Sequence, residues 1–512
     1  MGEIKLKTES QPEKIIDLKK TIKETHTSEI IIGLCGPIGT DIKFVANSFK
    51  KVLEREYSYD CTIIKLSSFI KSFNNTTDFE SLKTSNPVKY YDDLIDYGNH
   101  LRANHVNSIL AELAINEIAV KREEELIKTQ STEYGSNRHC YIIDSIKNTE
   151  ELELFKLVYR DLFYMVGTFS SLDNRVKSLQ DMGIKLDEVH KIIDRDSSEK
   201  TANGQKVVDT FIESDLFLRI DKSTYHSIEP KIKRFCNLIL NSDIVTPSSN
   251  ETAMYLAAAS AGNSACLSRQ VGASITDKDG QVISVGWNDV PKAGGGVYQF
   301  SETDLISQKD HRCMNLEGGK CFNDKEKDLL TEVLVGVLVE DGIIAEGNRN
   351  DAYKTLRNSK IKELIEFSRS VHAEMLAIIN ASQKSGADMK GGKLFCTTYP
   401  CHNCARHIIA AGISEVYYIE PYKKSLAIKL HHDSITEDES KESLVRILLY
   451  EGISPSRYLE FFKMIPNSRK SSGIKSEYLG HQSKPKNTLS LQAIPILEKK
   501  VTEDLKNRNL LR

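Results

Sequence analysis

At 512 residues with 40% hydrophobic content, the chain is long enough for roughly two to four domains, each able to bury its own core. Lys and Arg (69) nearly balance Asp and Glu (72), for a formal charge of -3, which gives no electrostatic ground for a nucleic-acid partner, whose footprint is a basic excess. Met1–Lys23 is charged and lacks the apolar run of a signal peptide, and no later run reaches membrane-spanning length. A cytoplasmic protein with no membrane partner is therefore expected, its 10 cysteines reading as reduced thiols or metal ligands.

In chain order, residues 1–27 form a polar arm. Ile30–Leu34 is a short apolar strand entering a loop with Gly36, Gly39, Thr40 and Asp41, after which Phe44, Val45, Phe49, Val52 and Leu53 recur at helical spacing. A strand, glycine loop and helix in succession present backbone N–H groups to an anion, which makes Gly36, Gly39, Thr40 and Asp41 the candidate nucleotide- or phosphate-binding residues. The phosphate-binding loop GxxxxGK[ST] needs a lysine after its last glycine, yet Thr40-Asp41 stands there and the nearest lysine is Lys43. Phosphoryl transfer is not expected. Either a nucleotide effector binds here, or the unit is a scaffold that kept its fold and lost its ligand.

His139–Asp144 reads as a second strand with an acidic end, Phe163–Phe169 as a third, and Arg175 falls on the helix after it. Together with Asp194-Arg195-Asp196 and Gly204–Val207, at the place of a lid, these pieces resemble a nucleoside-monophosphate-kinase type of P-loop domain. Strands separated by helices of ordinary length predict a doubly wound α/β domain with a parallel sheet over residues 28–245. Asp92–Arg102 opens a helical stretch to about Glu125 that either lines the cleft over the glycine loop or simply packs.

Asn241–Thr252, with Pro247-Ser248-Ser249-Asn250, is the linker to a second domain over 251–466. It opens with an Ala-rich helix, Glu251–Gly262, and continues with a hairpin whose strands, Arg269–Ile275 and Val282–Asn288, flank a polar turn. Residues 290–368 form an insertion. Within it Lys292–Gly296 either closes over a phosphate or is a surface loop, and His311, Cys313 and Cys321 are spaced loosely for a second zinc, with no obvious fourth ligand. Asp328–Val339 and Asn358–Phe367 fit helices, although Leu334–Ile344 fits strands equally well.

The most specific stretch pairs His372-Ala373-Glu374 with Pro400-Cys401-His402-Asn403-Cys404. A hydrolytic zinc site takes three protein ligands and leaves one position for water, and His372, Cys401 and Cys404 supply an imidazole and two thiolates. Glu374, two residues beyond the histidine, is the proton carrier. H-x-E followed by P-C-x-x-C is the established signature of zinc nucleobase deaminases. Lys393–Thr398 reads as a buried strand ended by Pro400. Cys401 and Cys404 then share a face at the start of a helix that stops at Gly412, and a strand follows over Glu415–Ile419. Beyond Tyr422, Lys423, Lys424 and His431-His432-Asp433 are candidate phosphate or subunit contacts, and 467–512 is a polar tail.

Hairpin, H-x-E helix and P-C-x-x-C helix is the order of the cytidine deaminase-like fold. Gln270-Val271-Gly272-Ala273, Gly286-Trp287-Asn288-Asp289 and the two zinc motifs resemble deoxycytidylate deaminases. The joining of such a domain to a degenerate P-loop kinase-like one resembles the bacterial anti-phage deoxycytidine-nucleotide deaminases. The resemblance implies an α/β/α sandwich, a Zn2+ cofactor, and hydrolysis of dCTP or dCMP to dUTP or dUMP plus ammonia. It further implies Asn288 beside the sugar, substrate contacts from Ala373, Thr398 and Pro400, depletion of the nucleotide pool during phage replication, an inhibitory regulator, and a homo-oligomer. The rival readings are a deaminase of bases within DNA or RNA, which would need a basic groove, a nucleotide sensor with a structural zinc, and a kinase fused to a deaminase.

Overall fold

Ile30–Cys35 (β1) is buried at all six positions, the mark of a strand covered on both faces. It lies inside a parallel sheet with Asp60–Lys65 (β2), His139–Asp144 (β3) and Phe163–Phe169 (β4), in the order β2-β3-β1-β4, with Ile32 opposite Ile142 on one side and Tyr164 on the other. Parallel neighbours need crossovers, and helices such as Ile42–Tyr57, Ile109–Thr129 and Thr149–Tyr159 provide them. These are features of a computed structural model, which describes residues 25–511 apart from 75–76, 131–136, 198–203, 304–309, 423–424, 466–467 and 491–492. Most of the N-terminal arm, and Lys423 and Lys424, lie outside the described residues.

The chain divides into two units, 1–213 with 220–245 and 464–512, and 214–219 with 246–463. The sequence expects a polar tail after 467, whereas this stretch folds back into the first unit. Its helix Ile494–Asn507 packs on Ile109–Thr129. Between them Arg122 pairs with Glu29 at 2.6 Å and with Glu498 at 3.0 Å, all three side chains at most 5% exposed. Composition hid this, because the residues that anchor the tail are themselves charged.

In the second unit Leu216–Arg219 (β5) pairs antiparallel with Gly452–Ile453. The main sheet holds Gly272–Thr276 (β6), Val282–Trp287 (β7), Lys393–Thr398 (β8), Glu415–Glu420 (β9), Ile435–Thr436 (β10) and Val445–Leu449 (β11), in the order β10-β11-β9-β8-β6-β7. β6 is antiparallel to both β7 and β8, and the other pairs are parallel. Helix Ser249–Ala261, closed by a capping box of Ser248 and Glu251, covers one face, and Ala373–Met389 covers the other.

Two hairpin glycines set how close these helices come. A Cβ on Gly272 would lie 1.9 Å from the Ala257 carbonyl oxygen, and one on Gly286 would lie 2.4 Å from Ala373 O and Ala377 N. Successive strand positions point to opposite faces, and since Gly286 sits opposite Ala273, each glycine admits a different helix.

Within the insertion, Phe322–Glu340 is one helix, so the strand alternative for 334–344 does not hold as far as Glu340. The helix expected over 358–367 shrinks to a single 3-10 turn, Lys360–Glu363. Among the described residues no helix is long and apolar enough to cross a membrane.

Candidate active site

Two helix N-termini meet beyond the C-terminal end of β8. His372 is the N-cap of Ala373–Met389 and Cys401 the N-cap of His402–Ala410, both with extended backbone. That places Cys404 in the first turn behind Cys401, and the positive ends of two helix dipoles face the sulfurs. His372 Nδ1 lies 3.3 Å from Cys404 Sγ and 3.4 Å from Cys401 Sγ, and the three ligand atoms are all within 4.8 Å of one another. Bonds of about 2.1 Å to nitrogen and 2.3 Å to sulfur at a tetrahedral angle put N and S about 3.5 Å apart. The group therefore fits zinc without rearrangement.

The charges of the three side chains are coupled. A hydrogen bond with Cys404 holds the Cys401 thiol down to about 4 against the pull of burial, with His372 helping. Cys404 is pushed far up by the same contact and by burial. His372, although burial opposes its charge, is raised to about 9 by its hydrogen bond with Cys401 and by Glu374. Glu374 stands in the first turn of its helix, 4% exposed, and burial raises its carboxyl against the charge of His372. A carboxyl lifted in this way is suited to taking up and giving back a proton.

His372, Glu374 and Cys401 line a cavity of about 400 Å³, together with Asn288, Ala373 and Thr398. Asn288 uses its amide on the wall itself. Its Oδ1 accepts from the Val271 N–H at 2.8 Å and its Nδ2 donates to the Arg269 carbonyl at 2.9 Å. Thr398 Oγ1 donates to Glu420, which also pairs with Arg269. Pro400 stands behind Cys401, its carbonyl accepting from Ser425 Oγ at 2.8 Å.

The insertion contributes wall residues that the sequence did not single out, Phe322, Lys327 and Lys362, and Arg369 joins them from just beyond it. Lys327, 6% exposed, donates to the Lys362 carbonyl at 3.1 Å. Its signal was the spacing of Lys327, Thr331 and Val335, the buried stripe of their helix. Lys292–Gly296, considered as a phosphate flap, is a tight turn outside this lining, with Lys292 N–H donating to Gly296 O at 3.1 Å.

The expectation of a second zinc is not met. His311 packs edge-on against Tyr298, and among the described residues His372, Cys401 and Cys404 are the only group close enough to hold a metal.

The glycine loop of the first unit is engaged in part from within, though the buried Thr40 Oγ1 and Arg175 Nη2 have no hydrogen-bond partner among the described residues. Ile38 N–H donates to Asp196 Oδ2 at 2.7 Å, and the other oxygen of this fully buried carboxylate holds Lys147 at 2.5 Å. Asp41 caps the following helix at Phe44 N–H and accepts from the Tyr225 hydroxyl. Gly39, at φ +88°, lies against Arg175, while Gly36 lies against Thr168. Thr40 donates its N–H to the Pro37 carbonyl.

Residues 247–420 match the family described as the cytidine and deoxycytidylate deaminase zinc-binding region. ComE operon protein 2 of Bacillus subtilis (strain 168) is 48% identical over 56 residues, 11% of this chain and 29% of that protein. Deoxycytidylate deaminase of Enterobacteria phage T2 is 25% identical over 176 residues, 34% of this chain and 81% of that one. The Homo sapiens deoxycytidylate deaminase is 28% identical over 120 residues, 23% of this chain and 62% of that one. Crystal structures of dCMP deaminase from the cyanophage S-TIM5, in apo form and in complex with dCMP and dUMP, cover 40% of this chain and nearly all of their own, at 17% and 20% identity and TM-scores of 0.22 and 0.24. The matched zinc-binding region contains His372, Cys401 and Cys404, and family and geometry agree on Zn2+ as the cofactor.

Proposed function

We propose that the second unit hydrolyses the exocyclic amine of a deoxycytidine nucleotide, converting dCTP or dCMP to dUTP or dUMP plus ammonia. The observation that carries this reading is the grouping of His372, Cys401 and Cys404, with His372, Cys401 and a buried carboxyl, Glu374, lining one cavity.

Held by His372, Cys401 and Cys404, Zn2+ supplies a Lewis acid that brings the acidity of water close to neutrality. The remaining work falls to the chain. Glu374 takes a proton from the attacking water and passes it to N3 of the pyrimidine, which makes C4 electrophilic. Water oxygen adds at C4, and Glu374 then moves a proton to the amine, which leaves as ammonia. Thr398 and Asn288 shape the wall on which the nucleotide lies, Asn288 by keeping residues 269–271 in place. Lys327, Lys362 and Arg369 supply positive charge to the same cavity, which suits a phosphorylated substrate.

On this reading the protein lowers the deoxycytidine nucleotide pool in the cytoplasm during phage replication, as a homo-oligomer kept silent by an inhibitory regulator. A nucleotide effector at Gly36–Asp41 would have to take the Ile38 N–H from Asp196. The direct test is ammonia release from each cytosine nucleotide, with a cytosine-containing single-stranded oligonucleotide as control. Release from dCTP or dCMP and none from the oligonucleotide is expected, and the reverse pattern would overturn the assignment.

A further inference from the structure

Helix Phe322–Glu340 is covered on one side only. Lys327, Thr331 and Val335 make its buried stripe, and among the described residues its main packing is against Arg349–Arg357 and the turn Lys360–Glu363, all within the insertion. On the other side Leu329, Val333, Leu334 and Val337 are each 40–63% exposed, Val333 the most. These positions follow one another at steps of three and four, which makes one continuous face. Gly336 lies among them, and a Cβ there would meet nothing within 4 Å. Val333, Val335, Val337 and Val339 are β-branched, so local propensity does little to hold this stretch helical. Such a helix is held by what covers its apolar face. The chain itself leaves that face open.

We infer that the open face is an interface with a second copy of this chain, the two helices lying antiparallel about a two-fold axis at Val333. The face is self-complementary about that residue. Leu329 and Val337 stand four places before and after it, so each meets the other across the axis, and Val333 meets its own counterpart. Leu330 and Gly336, three places to either side, then pair as knob and hole. Lys325 and Asp341, eight places to either side, bring opposite charges together at both ends. Both are exposed, and neither has an ion-pair partner in its own chain among the described residues. The same register brings Glu326 towards Glu340, at a rim where salt screens like charges and Lys325 lies beside them.

The area is sufficient. The four exposed side chains present roughly 350 Å² of apolar surface, and at the about 60% apolar share of an interface this implies about 1,200 Å² buried over two copies, above the about 1,000 Å² that a specific contact needs. A lipid surface fits less well, because Glu332, Glu340 and Asp341 rim the face with negative charge. The interface gives a surface to the homo-oligomer of the proposed function and rests on that part of the reading alone, since it does not need the deamination chemistry. Phe322, Asn323 and Lys327 line the active-site cavity from the first turns of the same helix, so a second copy seated here braces that wall.

The test is sedimentation velocity on the zinc-loaded full chain over a wide concentration range. A dimer or an even multiple is expected, and Val333→Asp halves the mass of the assembly while zinc per chain and the urea midpoint stay unchanged. Lys325→Glu weakens self-association several-fold, and adding Asp341→Lys to it restores the association. Val333→Cys, mildly oxidised and mapped by mass, links two copies through one peptide joined to itself. A monomer at every concentration, an assembly that Val333→Asp leaves intact, a charge-reversed double variant no tighter than Lys325→Glu, or no self-linked peptide overturns the proposal. Cosedimentation with phosphatidylcholine vesicles in place of self-association would overturn it too, by making the face a lipid one. An assembly lost in Val333→Asp, from a protein that releases ammonia from no nucleotide, keeps the interface and overturns the deaminase reading. Ammonia release from a chain that is monomeric throughout does the reverse.

Discussion

Glu374 is held between a helix N-terminus, the His372 ring and the Cys404 sulfur, and all of these act on its proton. Glu374→Gln preserves shape and removes the exchangeable carboxyl proton, so turnover should fall by roughly 10²–10⁴-fold while zinc per chain stays unchanged. Metal analysis beside ammonia release checks both halves, and loss of zinc in this variant would make Glu374 a ligand. The metal site is legible in the sequence because each of its pieces is local. H-x-E and C-x-x-C spacings are fixed by one helical turn each, and the strand that joins them is apolar. The cavity's cations were not legible. Lys327 reaches it from an insertion whose fold no motif announces and Arg369 from the segment just after it, and a lysine on a helix reads by default as a solvated one. His311 shows the opposite error, a metal-type residue whose ring is used in packing on Tyr298.

At the level of elements, the helix that carries His372 and Glu374 is placed by what β7 lacks. Gly286→Ala would push a methyl to 2.4 Å from Ala373 O and Ala377 N, backbone atoms that cannot yield without moving the helix that carries His372 and Glu374. A loss of about 1–3 kcal/mol in unfolding free energy is expected, with a fall in zinc affinity that simple overpacking far from the site would not give. Denaturant titration and a zinc competition assay read the two separately. The sheet itself is laced by Glu415, which lies 2.9 Å from Lys393 and 2.5 Å from Arg446. Burial raises the Glu415 carboxyl, but hydrogen bonds from Lys393 and Tyr417 and the charges of Lys393 and Arg446 outweigh it and hold it below the ordinary value. A carboxyl depressed by folding contributes stability in full above its unfolded value, near 4.3, and loses it as pH falls through the folded one. Glu415→Gln should therefore cost about 1.5–3 kcal/mol at pH 7 and progressively less below about pH 4. A cost that stays constant into acid would show that packing, not charge, links these strands.

At the scale of the whole chain, an α/β protein of two units was readable from alternating apolar runs and turn signals, and β3 and β4 fall at the ranges read from sequence. The course of the chain between the units was not readable. Residues 214–219 group with the second unit and 464–512 with the first, because strand pairing and a buried ion triad override order along the sequence. The triad yields the sharpest stability expectation. Arg122 is the single cation between Glu29 and Glu498 in that group, and all three are nearly solvent-free. Burial raises both carboxyls against the pull of Arg122, so their charge depends on that guanidinium. Arg122→Met leaves two carboxylates without a counter-ion in a low-dielectric site and should destabilise the first unit by about 3–5 kcal/mol. The triple replacement Glu29→Gln, Arg122→Met, Glu498→Gln removes the charges together and should recover most of that loss, since the desolvation cost disappears with the attraction. Urea unfolding of the two proteins decides the point. Equal destabilisation in both would mean that the contacts of the Arg122 stem, and not its charge, hold the terminal helix on Ile109–Thr129.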